Sequence, residues 1–161
     1  MIQVMRKKEE QLLTQEVLES ISLFGSLTEE QLGLLLSLME LRECHAGERI
    51  FSEDDLPSSI YVLIKGRVDF LVKKKKVHCI QKTLGKGATF GESAVMGILR
   101  QPGTAIANAD EVQLLVLTRE ALMIVQQVDM MLFGTLMMNL GRELSRKLHE
   151  SYNGFHQEIQ E

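Results

Sequence analysis

Between residues 41 and 117 the sequence divides into many short strand-like segments. These segments are rich in β-branched and other apolar residues, and glycine, proline or charged turn residues separate most of them. They cover residues 41–45, 49–52, 60–65, 67–73, 77–83, 104–108 and 111–117. A series of short strands with frequent turns predicts an antiparallel β barrel or jelly roll rather than a parallel sheet.

Helical patterns lie on both sides of this region. Apolar residues recur at helical spacing over residues 8–22. Thr28 and Gln31 have the spacing of a capping box, which predicts that a helix begins there. After Leu117 the helical period continues nearly to the end, although Asn153-Gly154 could end the last helix early.

The predicted fold is therefore mainly β with flanking α. It is an antiparallel β jelly roll (a double-stranded β-helix) with N-terminal helices and a long C-terminal helix. Residues 1–19 are predicted to be an N-terminal helical extension, and residues 20–161 one domain that includes the C-terminal helix. A chain of 161 residues is long enough to bury a core of its own.

Composition excludes several classes of function. The net charge of −4 gives no electrostatic basis for binding nucleic acid, and no apolar run is long enough to span a bilayer. Residues 1–10 are polar, unlike a signal peptide, and Cys44 and Cys79 form neither a disulfide framework nor a metal motif. A cytoplasmic protein is expected. The one charge run, residues 73–76, is predicted to be a solvated hairpin tip.

The histidines bear on a metal-dependent alternative. Cupins are also jelly rolls, but they hold a metal with a His-x-His pair, whereas His45, His78, His149 and His156 are scattered. No arrangement of nucleophile, base and orienting group is readable either. The sequence predicts no catalytic residue, no metal site and no cofactor, and it leaves a metal-dependent cupin-like enzyme as a remote alternative.

The segment Phe90-Gly91-Glu92-Ser93-Ala94-Val95 is the strongest candidate for a binding site. A short helix is predicted to begin here, and its first N–H groups suit a phosphate. Glycine allows close approach of the backbone, and the glutamate can accept hydrogen bonds from ribose hydroxyls. Phosphate and ribose side by side indicate a nucleotide.

These residues resemble the phosphate-binding segment of the cyclic nucleotide-binding domains. That family includes the sensor domain of the bacterial catabolite activator protein and the regulatory subunits of cyclic-AMP-dependent kinase. The resemblance extends to residues 47–50, 59–68 and 84–92, and it covers most of residues 20–150. It implies a non-enzymatic regulatory module that binds a cyclic mononucleotide, cyclic AMP ahead of cyclic GMP, and signals through its C-terminal helix.

One position departs from the family pattern. The family has Pro-Arg-(Ala/Ser)-Ala-Thr at the end of this segment, and its arginine binds the cyclic phosphate. Here Gln101 occupies the arginine position, and Arg100 lies one residue earlier. A neutral amide does not replace a guanidinium in kind. A domain that has lost nucleotide binding and serves in dimerisation or partner docking therefore remains an alternative. The candidate ligand-binding residues are Phe90, Gly91, Glu92, Ser93, Ala94, Arg100, Gln101 and Thr104.

The C-terminal segment carries one apolar stripe at helical spacing. It consists of Leu136, Leu140, Leu144, Leu148, Tyr152, Phe155 and Ile159. The resemblance implies that this helix caps the nucleotide and pairs with its copy in a homodimer, and the alternative is packing on its own barrel. No helix-turn-helix follows, so no direct contact with DNA is expected. No membrane partner is expected either, and a protein effector is a further candidate partner.

Overall fold

The structure is a computed structural model that describes residues 17–18 and 20–158. Within these residues, eight strands and four α-helices follow a 3-10 turn at Ser22–Phe24. The strands are β1 (Glu40–Cys44), β2 (Arg49–Phe51), β3 (Ser59–Lys65), β4 (Val68–Lys74), β5 (Val77–Leu84), β6 (Thr89–Phe90), β7 (Thr104–Ala107) and β8 (Val112–Thr118). The helices are α1 (Glu29–Leu38), α2 (Glu92–Gly97), α3 (Arg119–Val128) and α4 (Met130–Glu158).

The strands form two four-stranded antiparallel sheets. One sheet has the order β1-β8-β3-β6 and the other the order β2-β7-β4-β5. The jelly roll predicted from the sequence is confirmed, and the seven predicted segments match observed strands to within about a residue at most ends. Strand β6 was not predicted, because two residues are too few to show an alternating pattern.

The central strand β3 buries both of its faces. Ile60, Val62 and Ile64 point to the helices, while Tyr61 and Leu63 point to the second sheet. Strand β8 shows the same alternation. A strand with one solvated face would alternate apolar and polar residues. Because β3 and β8 are buried on both faces, their sequences are continuous apolar runs although the sheet is antiparallel.

The start of the described chain corrects one expectation. Most of the predicted helix at residues 8–22, and the predicted extension at 1–19, lie outside the described residues. Val17 and Leu18 are helical, but Ser20 is in a turn and its hydroxyl donates to the carbonyl of Val17 at 2.6 Å. The helix therefore ends before Ser20, because the serine side chain competes for a helical carbonyl.

Two further local predictions are confirmed. Thr28 and Gln31 form both hydrogen bonds of a capping box at the start of α1. The lysine run forms the exposed tip of the β4–β5 hairpin, with Lys75 and Lys76 as its two loop residues.

The last helix, α4, is continuous from Met130 to Glu158, so Asn153-Gly154 does not end it. At about 1.5 Å per residue its 29 residues extend about 43 Å. Leu132, Leu136 and Leu140 are fully buried against the helix-facing side of the first sheet. The first part of the predicted stripe therefore packs on its own domain.

Candidate functional site

The chain turns sharply between β6 and α2 at Gly91. This residue has a φ of 81°, which an L side chain rarely adopts. A Cβ there would lie 2.9 Å from the carbonyl oxygen of Ser59 and 3.0 Å from the ring of Tyr61. Only glycine fits this position, and it sets α2 directly against β3.

The turn at Gly91 places Glu92 inside the protein. Glu92 is the first residue of α2, and only 2% of it is exposed. Its carboxylate accepts a hydrogen bond from the ammonium group of Lys147 on α4, and the two groups form an ion pair. The same ammonium donates to the carbonyl of Thr89 at 2.5 Å. Lys147 thus connects α4 to β6, which begins at Thr89, and to α2, which begins at Glu92.

A cavity of about 530 Å³ lies between α2, the second sheet and α4. This volume is in the usual range for small-molecule sites. Its walls combine aromatic and aliphatic side chains with polar groups. The lining residues are Phe51, Phe70, Gln81, Lys82, Leu84, Phe90, Gly91, Glu92, Ser93, Gln101, Pro102, Leu144, Lys147, Leu148, Glu150 and Ser151.

The structure brings most of the predicted site residues together around this cavity. Phe90, Gly91, Glu92, Ser93 and Gln101 line it. The other three predicted residues do not line it. They are Ala94, which is buried in α2, Thr104, whose hydroxyl accepts from the backbone of Glu53, and Arg100.

Arg100 faces away from the cavity. It is exposed, and its guanidinium donates to the carbonyl of Asp54 at 2.7 Å. Gln101, in contrast, is only 3% exposed and lines the cavity, with its backbone paired to Asp54 and Asp55. The position that carries arginine in the family pattern therefore holds a residue with a neutral amide side chain, and this residue lines the cavity.

The resemblance implied that α4 caps the binding site, but no residue of α4 was named from the sequence as part of that site. Leu144 and Leu148 belong to the predicted stripe, but they face this cavity. Lys147, Glu150 and Ser151 were not singled out. Because Lys147 lies three residues after Leu144, the helical period would have placed it near the same face.

Ion pairs hold the second half of α4 to the rest of the domain. Lys82 on β5 pairs with Glu150 at 3.0 Å, and Arg146 pairs with Glu143 at 2.6 Å and also with Glu150. The hydroxyl of Ser22 donates to Glu143. Together these contacts connect α4 to Lys82 of the second sheet on one side and to Ser22 of the N-terminal segment on the other.

These ion pairs and hydrogen bonds shift the pKa values of the groups involved. For Glu143, burial opposes ionisation, but the hydrogen bonds from Ser22 and Arg146 outweigh it and lower the pKa of the carboxyl below its ordinary value. The hydrogen bond and charge of Lys82 lower the pKa of Glu150. The hydrogen bond to Glu143 raises the pKa of Arg146.

Residues 17–18 and 20–158 bear on two other kinds of site. No group of three or more histidine, cysteine, aspartate or glutamate side chains there is arranged to hold a metal ion. None of the helices in that part of the chain has the length and apolar character needed to cross a bilayer. Cys44 and Cys79 are both free thiols on strands.

Known proteins share both this sequence and this architecture. Residues 41–127, just over half of the chain, match the family model described as the cyclic nucleotide-binding domain. The regulatory subunit of the cAMP-dependent protein kinase of Yarrowia lipolytica is 31% identical over 86 residues, which cover 53% of this chain and 22% of that protein. Human cGMP-dependent protein kinase 2 is 31% identical over 106 residues, which cover 64% of this chain and 14% of that protein.

Solved structures agree with these matches. The catabolite activator protein of Thermus thermophilus superposes with a TM-score of 0.74 at 26% identity, over 84% of this chain and 62% of that chain. The resemblance predicted from the sequence is therefore confirmed. The chain spans less than a quarter of the length of either kinase relative.

The ion pairs on α4 predict a pH dependence of stability. Because the pKa of Glu143 is lowered on folding, its contribution to the free energy of unfolding is present above the ordinary value of 4.5 and is lost as the pH falls through the folded value. Denaturant unfolding of the unmodified chain and of Glu143→Gln from about pH 7 to about pH 3 should show a gap that closes on acidification. Glu120→Gln, at an exposed carboxylate on α3, is the control. A gap that stays constant with pH would contradict this assignment.

Proposed function

Since the chain belongs to the cyclic nucleotide-binding domain family, a family of regulatory domains, we propose that its cavity binds a cyclic mononucleotide and that the protein is a non-enzymatic sensor. The observation that carries the proposal is the buried carboxylate of Glu92, which follows the positive-φ turn at Gly91 and lines a cavity bordered by α4. One kinase relative is cAMP-dependent and the other is cGMP-dependent. Cyclic AMP is our first candidate because the motifs resemble those of the catabolite activator and cyclic-AMP-dependent kinase proteins.

In the proposed pose, the N–H groups near Gly91, Ser93 and Ala94 hold the phosphate, and Glu92 accepts the ribose 2′-hydroxyl. A carboxylate has about four lone-pair positions, so Glu92 can accept from ribose while it stays paired with Lys147. The aromatic and aliphatic walls of the cavity leave room for the base beneath α4.

We propose further that α4 transmits binding to an effector. Its first half is fixed by buried leucines, whereas its second half is held by ion pairs at the edge of the cavity. A ligand in the cavity contacts the second half, and it shifts α4 because it binds the possible helix positions with different affinity.

One observation supports the alternative of a domain without nucleotide. The arginine position is neutral, and Arg100 is bonded to Asp54 outside the cavity. On this alternative the domain would serve in dimerisation or partner docking. The metal-dependent enzyme has no comparable support from the described residues.

Titration of the purified chain with cyclic AMP and with cyclic GMP tests the proposed pose. Binding is expected, and Glu92→Ala should weaken it by roughly 1.5–3 kcal/mol, the value of a hydrogen bond to a charged group. Calorimetry measures both affinities, and Glu120→Ala is the matched control at an exposed glutamate. If Glu92→Ala binds as tightly as the unmodified chain, the pose is wrong. Absence of binding by the unmodified chain favours the docking alternative.

Gln101 and Arg100 provide a second test. Gln101→Arg should strengthen binding by at least about tenfold, because a guanidinium adds charge-assisted hydrogen bonds to the phosphate. Arg100→Ala should change affinity little, because its guanidinium is bonded outside the cavity. A large loss in Arg100→Ala would instead mean that the loop rearranges and Arg100 takes over the phosphate.

We also propose a homodimer through α4, along an exposed face that shares only Leu148 and Tyr152 with the predicted stripe. Leu136 and Leu140 are buried in their own domain, so they are not available to a second copy. The exposed face follows a seven-residue repeat, which is the spacing that pairs helices. This helix seam consists of Met131, Gly134, Met138, Gly141, Ser145, Leu148 and Tyr152.

Light scattering tests the helix seam. The unmodified chain should be dimeric, and Met138→Glu should give folded monomers because it places a charge in the apolar contact. Met123→Glu on α3 is the matched control, since Met123 and Met138 are both 59% exposed. A monomeric unmodified chain at high concentration, or equal effects of the two substitutions, would exclude this dimer.

A further inference from the structure

The cavity contains few positive charges for a site proposed to take an anion. Among the described residues that line it, two have cationic side chains, Lys82 and Lys147. Lys82 lies at the rim, where its side chain is 52% exposed and pairs with Glu150. The side chain of Lys147 is 29% exposed and reaches the buried carboxylate of Glu92.

A cyclic phosphate diester carries one negative charge, and burying it without a cationic partner is costly. The side chain at the arginine position, Gln101, is neutral. Arg100 does not line the cavity. A cationic side chain that assists the N–H groups of the phosphate-binding segment would therefore come from another part of the chain.

Lys147 can share its charge between Glu92 and a phosphate without losing its present contacts. An ammonium group has three N–H donors, and the contacts of Lys147 with Glu92 and the carbonyl of Thr89 use two of them. One donor remains for a phosphate oxygen. The ammonium is also next to Glu92, the residue proposed to bind the ribose ring that carries the phosphate.

We infer that Lys147 of α4 replaces the missing arginine as the cation that binds the phosphate of the cyclic nucleotide. This inference rests on the proposed function and identifies a specificity-determining residue of the same site. The cation lies on the last helix and not on the phosphate-binding segment. The negative charge of the ligand therefore acts directly on the position of α4. Ligand binding and the position of the helix are then coupled.

Calorimetric titration with cyclic AMP and with 2′-deoxy cyclic AMP tests the inference. Lys147→Gln should weaken binding of cyclic AMP by at least about tenfold, and Lys147→Arg should keep most of the affinity because it keeps the charge. The loss in Lys147→Gln should be the same for the 2′-deoxy ligand, which lacks the hydroxyl assigned to Glu92. Lys74→Gln, at an exposed hairpin lysine, is the control for net charge.

Gln101→Arg in the Lys147→Gln background is the second measurement. It should restore affinity, because it returns a cation to the position that the family uses. A loss confined to cyclic AMP would mean that Lys147 only positions Glu92, and that result overturns the inference. Unchanged or tighter binding in Lys147→Gln, or a loss that Gln101→Arg does not restore, also overturns it while the proposed function stands. If the unmodified chain binds neither ligand, both proposals fall.

Discussion

The arrangement of this domain depends on two central strands that are apolar on both faces. Strands β3 and β8 pack against the second sheet on one side and against the helices on the other. This double burial fixes the position of β3, and β3 in turn fixes the site, because the turn at Gly91 runs so close to Ser59 and Tyr61 that a Cβ would not fit there. The segment proposed to bind the phosphate is therefore supported by one of the two deeply buried strands of the first sheet.

Local patterns were enough to predict the β segments, the capping box of α1 and the cavity-lining residues near Gly91, which are Phe90, Gly91, Glu92 and Ser93. Each of these depends on residues close together in the sequence, where side-chain period and turn chemistry apply. The contact between Glu92 and Lys147 could not be predicted in this way, because it joins residues far apart in the chain. The leucine stripe was correctly placed on one helical face. Helical spacing alone could not tell whether that face meets a second copy, the domain core or a ligand cavity, and in the structure it meets the core and then the cavity.

The two halves of α4 are held by different kinds of interaction. Leu132, Leu136 and Leu140 are buried in the core, so this half moves only at the cost of exposing apolar surface. Beyond Leu140 the contacts of α4 are largely ion pairs and hydrogen bonds to Glu92, Thr89 and Lys82. The pair between Lys82 and Glu150 is partly exposed, so it is individually weak and easily exchanged, whereas Lys147 pairs with the buried carboxylate of Glu92. The boundary between the two halves lies at the start of the cavity wall.

In the proposed transmission of binding, the length of α4 beyond that boundary would make it a lever. From Leu140 to the last described residue, Glu158, the helix extends about 27 Å at about 1.5 Å per residue. A tilt of only about 10° at the boundary would carry the far end through about 5 Å, which is nearly one helical turn. A displacement of that size exchanges one set of surface side chains for the next along a neighbouring helix. A shift of about an ångström at the cavity would thereby become a change of register at the end of the helix.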